Sequence, residues 1–491
     1  MEHASPHPLL PALSEFLARQ IGLHFPQERW PDLMRGLQEV ARDFQSKDIS
    51  ACIAQLLSSP LSRSQIETLA RHLTIGETYF FREPQVFEAL QEHILPALIH
   101  ARRQSSRHLR LWSAGCSTGE EAYSLAIMTQ RLIPDFAQWN ITILGTDINP
   151  QALEKAAAGI YGEWSFRNAP PWLRERYFRN IGKGRYEVIP AVRDMVTFSY
   201  LNLAEDVYPS LANNTNAMDI IFCRNVLMYF EPELAASVVQ KHYQALVENG
   251  WLVVSPSEIS QGSFERFAPA HFSGAILHQK TDGAQKKESI VPPSPALPTL
   301  AAQKSVRKTS VAHSHPSGAA VPLSDPEYQQ ALTLYRQGLY LDAAAATARL
   351  LGSRPGDVPA MTLMARIHAN QGDLATALNW CDQAIAADRL KPVGHYLLGA
   401  ILKELGRGPE AALAYKRTLY LDPDFVLAQF ALGNLFRDQH KPREAAKHFG
   451  NALLILARHL ADDVLPEADG MTAGRLMEII RSSMHKEAKA A

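Results

Sequence analysis

A register of 34 residues runs through the last third of the chain and restricts its fold more than any other feature. Gly338, Gly372 and Gly406 stand 34 residues apart, with His440 at the next step. Ala343, Ala377, Ala411 and Ala445 keep the same spacing, as do Ala331, Ala365, Gly399 and Gly433. Pro355 and Pro423 lie two steps apart, with Arg389 midway. A unit of this length, with small residues at fixed places, describes pairs of short helices that touch closely and turn at a glycine. Such a pair cannot bury its apolar face alone, so successive pairs stack into a continuous core with a concave binding surface.

The spacing, the turn glycines and the closing "LDP" resemble the tetratricopeptide repeat, about four copies over residues 325–457. The amphipathic "MTAGRLMEIIRSSMHKEA" within 458–491 is expected to cap the stack. Residues 281–324 are rich in Pro, Ser, Ala and Lys without a period; too little apolar surface is available there to offset ordering, so a linker is expected. Residues 1–72 carry helical spacing, with Leu13, Phe16, Leu17 and Ile21 on one face and Leu33, Leu37 and Val40 on another. From Leu109 the period changes. "LRLWSA", "ITILGTD", "MDIIFC" and "WLVVSPS" are short apolar strands separated by helical stretches, the pattern of a mostly parallel sheet covered on both faces across residues 73–280. "RYEVIPAVRDMVTFSYL" reads as two antiparallel strands, part of an inserted β subdomain at about 165–200.

Charge excludes one function class. Lys plus Arg is 49 against 50 for Asp plus Glu, so the bulk basic charge of a nucleic-acid binder is missing. The four cysteines are scattered, without CxxC or Cys/His spacing suited to a metal, and read as free thiols of a reducing compartment. The N-terminus lacks the form of a signal peptide and no 18-residue apolar run occurs, so a cytoplasmic protein without membrane insertion is expected.

Candidate chemistry gathers at three strand ends. Gly115 and Gly119 lie where a strand gives way to a helix, and two acids follow at once, Glu120 and Glu121. Acids there disfavour a phosphate and favour a ligand carrying an ammonium group. Asp147 ends the second strand, where a carboxylate accepts hydrogen bonds from a ribose diol, while Asn149 is the better helix cap. Ribose plus amino-acid ammonium without phosphate describes S-adenosyl-L-methionine. Arg224 and Asn225 follow the third strand and line the same crevice.

The ordered set "TYFFRE", "WSAGCSTGEEAYSLAI", "GTDINPQAL", "GIYGEW", "VTFSYLNL" and "IIFCRNVLMYF" resembles the CheR-type chemoreceptor glutamate O-methyltransferases, over roughly residues 5–280. The resemblance implies an N-terminal helical domain, a Rossmann-like α/β S-adenosylmethionine-dependent methyltransferase domain and an inserted antiparallel β subdomain, here followed by an all-α tetratricopeptide solenoid. It implies cofactor contacts from Gly76, Thr78, Arg82, Glu121, Asp147, Asn202, Leu203, Arg224 and Asn225; Gly76 replaces a frequent asparagine and can offer only its backbone. The implied reaction methylates glutamate side chains of a methyl-accepting chemoreceptor, leaving S-adenosyl-L-homocysteine. Arg82 would orient a carboxylate and Tyr229 would place a hydroxyl near the methyl group. If "LTIGETYFFRE" is helical, Thr78 and Arg82 share a face, and Tyr79, Phe80 and Phe81 pack the junction between helical domain and sheet.

Two departures bear on partners. The loop in "NIGKGRYEV" is short, so no tether to a receptor-tail pentapeptide is expected. Arg29, Arg35 and Arg42 alternate with Asp32, Glu39 and Asp43, giving a near-neutral helix face. The repeats are expected to bind a protein or peptide. A methyltransferase with another acceptor, and a repeat scaffold with a cofactor-sensing domain, are the competing readings.

Overall fold

The computed structural model describes residues 7–104, 107–205, 207–260, 263–281, 325–468 and 471–490; the expected linker lies almost wholly outside the described residues. Four helices open the chain, at Leu10–Ile21, Trp30–Asp43, Ile49–Leu57 and Arg63–Leu73. Their apolar stripes meet in one core in which Leu13, Leu17, Leu33, Leu37 and Val40 are fully buried, and Phe16 packs at its edge. Asp48 and Ser62 cap the third and fourth helices by accepting the Ala51 and Gln65 backbone N–H groups.

A seven-stranded sheet follows. Its strands in chain order are β1 (His108–Ala114) and β2 (Asn140–Asp147), then, after the inserted sheet of β3 (Ile160–Gly162), β4 (Phe178–Gly182) and β5 (Arg185–Val188), β6 (Val196–Tyr200), β7 (Met218–Phe222), β8 (Leu246–Val253), β9 (Phe267–Phe272) and β10 (Ala275–Lys280). The spatial order is β6-β2-β1-β7-β8-β10-β9, parallel except for the final β9–β10 hairpin. β1 is buried throughout, as a central parallel strand must be, and the helix Glu120–Leu132 covers it on one face.

The antiparallel pair expected within residues 185–201 does not exist. β5 pairs with β3 and β4 in the inserted sheet, whereas β6 joins the main sheet beside β2, with Asp147 opposite Tyr200. The short helix Pro190–Arg193 between them redirects the chain from one sheet to the other.

The repeats form four helix pairs: Pro326–Arg336 with Tyr340–Ser353, Val358–Asn370 with Leu374–Ala387, Pro392–Glu404 with Gly408–Leu421, and Val426–Asp438 with Pro442–Leu456. The small positions of the register have a steric cause. A Cβ on Gly399 would stand 2.6 Å from the Tyr415 ring, and one on Gly433 would stand 2.4 Å from the Phe449 ring. Ala343, Ala377, Ala411 and Ala445 are fully buried. The turns within the first three pairs rest on the α/β unit. Gln244 donates to the Gln337 carbonyl at 2.7 Å, Asn216 donates to the Glu404 carboxylate at 2.9 Å, and Asn140 donates to the Glu404 carbonyl.

All four cysteines are buried and free. Among the described residues, no helix is long and apolar enough to cross a membrane.

Under the sheet, His242 is buried against Trp112, with ring centroids 5.2 Å apart. Burial, with the Lys241 charge, pushes its imidazole down to about 3, below the ordinary histidine value of about 6.5. The unfolded chain therefore takes up this proton first as pH falls. The stability contribution is complete above pH 6.5 and is lost progressively toward pH 3, at about 1.4 kcal/mol per pH unit. Denaturant unfolding of H242F between pH 6 and 4 should show a pH slope flatter by about that amount; an unchanged slope would contradict a neutral buried His242.

Candidate functional site

The order of winding reverses at β1, with β2 on one side and β7 on the other, and such a reversal opens a crevice at the carboxyl ends of the strands. A crevice with about 740 Å³ of empty space, part of it open to solvent, lies there. The strand ends supply Gly115, Ser117, Asp147, Asn202 and Asn225. The N-terminal unit closes it with Ile21 and Leu73 of its helices and Leu23 of the connection between the first two, and the segment after the fourth helix adds Thr74, Ile75 and Gly76.

Gly115 has a left-handed φ of 80°, and a Cβ there would stand 2.4 Å from Val226 Cγ2, so only glycine keeps this wall. Asp147 Oδ2 accepts the Ser117 N–H and Oδ1 accepts the Asn149 N–H, both at 2.8 Å. Burial pushes this carboxyl up, and the N–H groups of Asn149, Ser117 and Ile148 oppose the shift. Each oxygen retains accepting capacity, which suits a diol. Asn149 caps the helix Pro150–Ala158 through the Gln151 and Ala152 N–H groups, leaving Asp147 to the cavity. The Ser117 hydroxyl donates to the Gly76 carbonyl at 3.1 Å, fastening the segment after the fourth helix to the sheet.

Of the expected site residues, Gly76, Asp147, Asn202, Leu203, Asn225 and Tyr229 line the cavity; Thr78, Arg82, Glu121 and Arg224 do not. Arg224 has a side chain only 1% exposed and lies between Glu83 at 3.0 Å and Glu121 at 3.2 Å. Burial pushes the Glu121 carboxyl up; the Arg224 guanidinium and the Ser113 hydroxyl oppose it. Glu121 thus meets a guanidinium rather than standing open to an ammonium group. Glu120 is turned to the hydroxyls of Thr118 and Ser165.

The segment "LTIGETYFFRE" is not helical. The fourth helix ends at Leu73 and the next begins at Pro84, so Thr78 and Arg82 share no helical face. Phe81 and Glu83 take left-handed φ values of 55° and 59°, and the chain is pinned from outside: Phe80 N–H donates to the Ser165 carbonyl and Phe81 N–H to the Ser124 hydroxyl. Phe80 is fully buried, with Tyr161, Phe166 and Phe178 at 4.9–5.0 Å, and Phe81 meets Phe87 and Trp172. These rings lock the inserted sheet to the α/β core instead of filling the junction with the helical domain. Tyr79 lies 3.8 Å from the Arg167 guanidinium.

Arg82 donates to the Glu77 carbonyl at 3.0 Å. Its charge acts on both Glu121 and Tyr229. Burial pushes the Tyr229 phenol up against the opposing charges of Arg29 and Arg82, so the hydroxyl stays protonated at neutral pH. The Arg29 guanidinium lies 5.2 Å from the Tyr229 ring centroid, while Arg35 pairs with Asp32 and Arg42 with Glu39.

One buried residue that positions the site escaped the sequence reading. The Glu258 carboxylate accepts the N–H groups of Asn225 at 2.8 Å, Val226 at 2.6 Å and Ser255 at 2.9 Å. It holds Asn225 in a left-handed conformation with φ 58°. The local signal was the capping box formed by Ser255 and Glu258; the partners in the 225–226 turn lie too far along the chain to be read locally.

Residues 76–273 match the family model described as CheR methyltransferase, SAM binding domain, and residues 328–392 match that of the tetratricopeptide repeat. A probable chemotaxis protein methyltransferase of Rhizobium etli is 35% identical over 211 residues, covering 42% of this chain and 76% of its own. A chemotaxis protein methyltransferase of Borreliella burgdorferi is 32% identical over 212 residues, covering 42% and 74%. A protein of Pseudomonas putida named probable biofilm formation methyltransferase WspC is 28% identical over 426 residues, covering 86% of this chain and 93% of its own. With this crevice at its strand ends and these relatives, the chain belongs to the CheR methyltransferase family and uses S-adenosyl-L-methionine.

Proposed function

We propose that this protein is a cytoplasmic protein-glutamate O-methyltransferase that esterifies glutamate side chains on the cytoplasmic helices of a chemoreceptor. The observation that carries this reading is the strand-end crevice whose wall presents Asp147 and Tyr229 together, with the Arg29 guanidinium against the Tyr229 ring and the Arg82 charge acting on its hydroxyl. S-adenosyl-L-methionine supplies an electrophilic methyl group on a sulfonium centre.

Asp147 would accept the ribose hydroxyls, and the walls at Gly76, Asn202, Leu203 and Asn225 would hold the rest of the cofactor. Thr78, Glu121 and Arg224 would act from behind these walls, Glu121 and Arg224 through their ion pair. A substrate glutamate, ionised above its ordinary pKa of about 4.3, needs no general base. What it lacks is nucleophilic strength. Arg82 would present a planar fork to that carboxylate, and the Tyr229 hydroxyl would fix its approach; orientation of this kind is worth roughly 7–11 kcal/mol in favourable cases. The near-full-length likeness to a protein named for biofilm formation supports a signalling output other than motility.

The β4–β5 hairpin turns in two residues, Lys183 and Gly184, both with left-handed φ. So tight a turn supports the absence of a receptor-tail tether. Two predictions follow from these roles. Incubation with receptor-containing membranes and methyl-tritiated cofactor should give label that alkali releases as methanol, with kcat/KM lowered about a hundredfold by R82A and about tenfold by Y229F. Alkali-stable label would point to another acceptor atom, and unchanged rates in both variants would remove the assigned roles. Deleting the C-terminal tail of the cognate receptor should leave its methylation rate unchanged; a loss would restore the tether.

A further inference from the structure

A repeat array is expected to present its inner layer to a partner, and here the chain's own C-terminal segment reaches that layer. The first helices of successive pairs pack on one another to form it. Beyond Leu456 the chain folds back on itself instead of leaving the stack. Leu465 N–H donates to the Met471 carbonyl at 2.9 Å, and Ala473 N–H to the Asp463 carbonyl at 2.8 Å. Leu465, Met471, Leu476 and Ile480 are at most 3% exposed and belong to one apolar core with Leu397 and Phe430 of the inner helices. Glu467 forms an ion pair with Arg366, which sits on the first helix of the second pair, two pairs back from the point where this segment begins.

The same segment then reaches the methyltransferase. The Arg475 guanidinium lies 4.4 Å from the Tyr200 ring centroid, and its Nε lies 3.4 Å from the Glu205 carboxylate. Tyr200 ends β6 and runs directly into Leu201, Asn202 and Leu203, which line the cavity. The Arg63 guanidinium, from the start of the fourth N-terminal helix, lies 3.2 Å from the same ring. The strand end that presents Asn202 is thus gripped by one arginine from the N-terminal unit and one from the C-terminal segment.

We propose that the repeat array serves as an internal dock for the chain's own C-terminal segment, residues 458–468 and 471–480, and that Arg475 is a positioning residue for the cofactor loop at residues 200–203. The carboxylate of Glu467 sets the register of the segment on the array through Arg366. The apolar residues seal it, and Arg475 transmits that placement to Tyr200. Whatever displaces the segment loosens the cofactor loop. The inference rests on the assignment of Asn202 to the cofactor site.

The test uses the full-length protein, with S-adenosyl-L-homocysteine titrated calorimetrically. R475A should weaken binding about tenfold and raise KM for S-adenosyl-L-methionine by a similar factor, with kcat changed less than about twofold. E467R should weaken binding comparably, and the exchange R366E/E467R should restore it. N202A separates the two levels of the argument. Weakened binding in N202A with native affinity in R475A overturns the internal dock alone; native affinity in N202A overturns the site assignment beneath it. Should the variants not fold, hydrogen exchange on the unaltered protein decides. Residues 473–477 and 200–203 should gain protection together when S-adenosyl-L-homocysteine binds, and protection confined to 200–203 overturns the proposal.

Discussion

Two carboxylates set into the carboxyl edge of the sheet, Asp147 and Glu258, hold the backbone on which the cavity depends. The turns after β1, β2, β7 and β8 direct N–H groups inward, where helices deny them water, and such groups carry a large cost if unpaired. Asp147 takes two of them and Glu258 takes three more at normal distances. Each carboxylate joins segments from distant parts of the chain. Through Ser117 the same network extends to Gly76 and brings the N-terminal helices over the crevice. The loops that define the site take their geometry from these anions.

Electrostatics around this edge is compensated locally. Arg224 has two acids, Glu83 and Glu121, so the buried cation beneath the cavity is balanced before any ligand arrives. Arg82 is different. It is held by a backbone carbonyl, and its positive field reaches Tyr229. A negatively charged substrate of the proposed kind would meet Arg82 and Arg29 on this side rather than Arg224 with its two acids.

Sequence reasoning reached the periodic features and missed the long-range ones. The strands β1, β2 and β7 and the helical stripes were legible because each is written in a short local run of residues, and the repeats because their small residues recur at one fixed spacing of 34. The partner of β6 was not, since parallel pairing with β2 spans the 48 residues 148–195, and local adjacency to β5 pointed elsewhere. "LTIGETYFFRE" was readable as unusual but not as irregular backbone, because what fixes it comes from Ser124 and Ser165. Glu258 looked like a local cap, and only the fold brings the 225–226 turn to it.

The contact between the repeat turns and the α/β unit has a consequence for the size of the array. A Cβ on Gly338 would lie 2.2 Å from Gln244, and one on Gly372 would lie 3.0 Å from Val247, so the turns approach the enzyme surface as closely as backbone allows. His440, at the fourth turn, adopts the same left-handed conformation with φ 56° while carrying a side chain. The 34-residue period works as a ruler whose first marks are aligned with fixed points on the enzyme. An extra repeat inserted among them would shift every later mark by a whole helix pair, and one added after the fourth would push the returning segment out of reach of Tyr200. A solenoid can in principle take any number of units; the four present here are matched to what they touch along the enzyme.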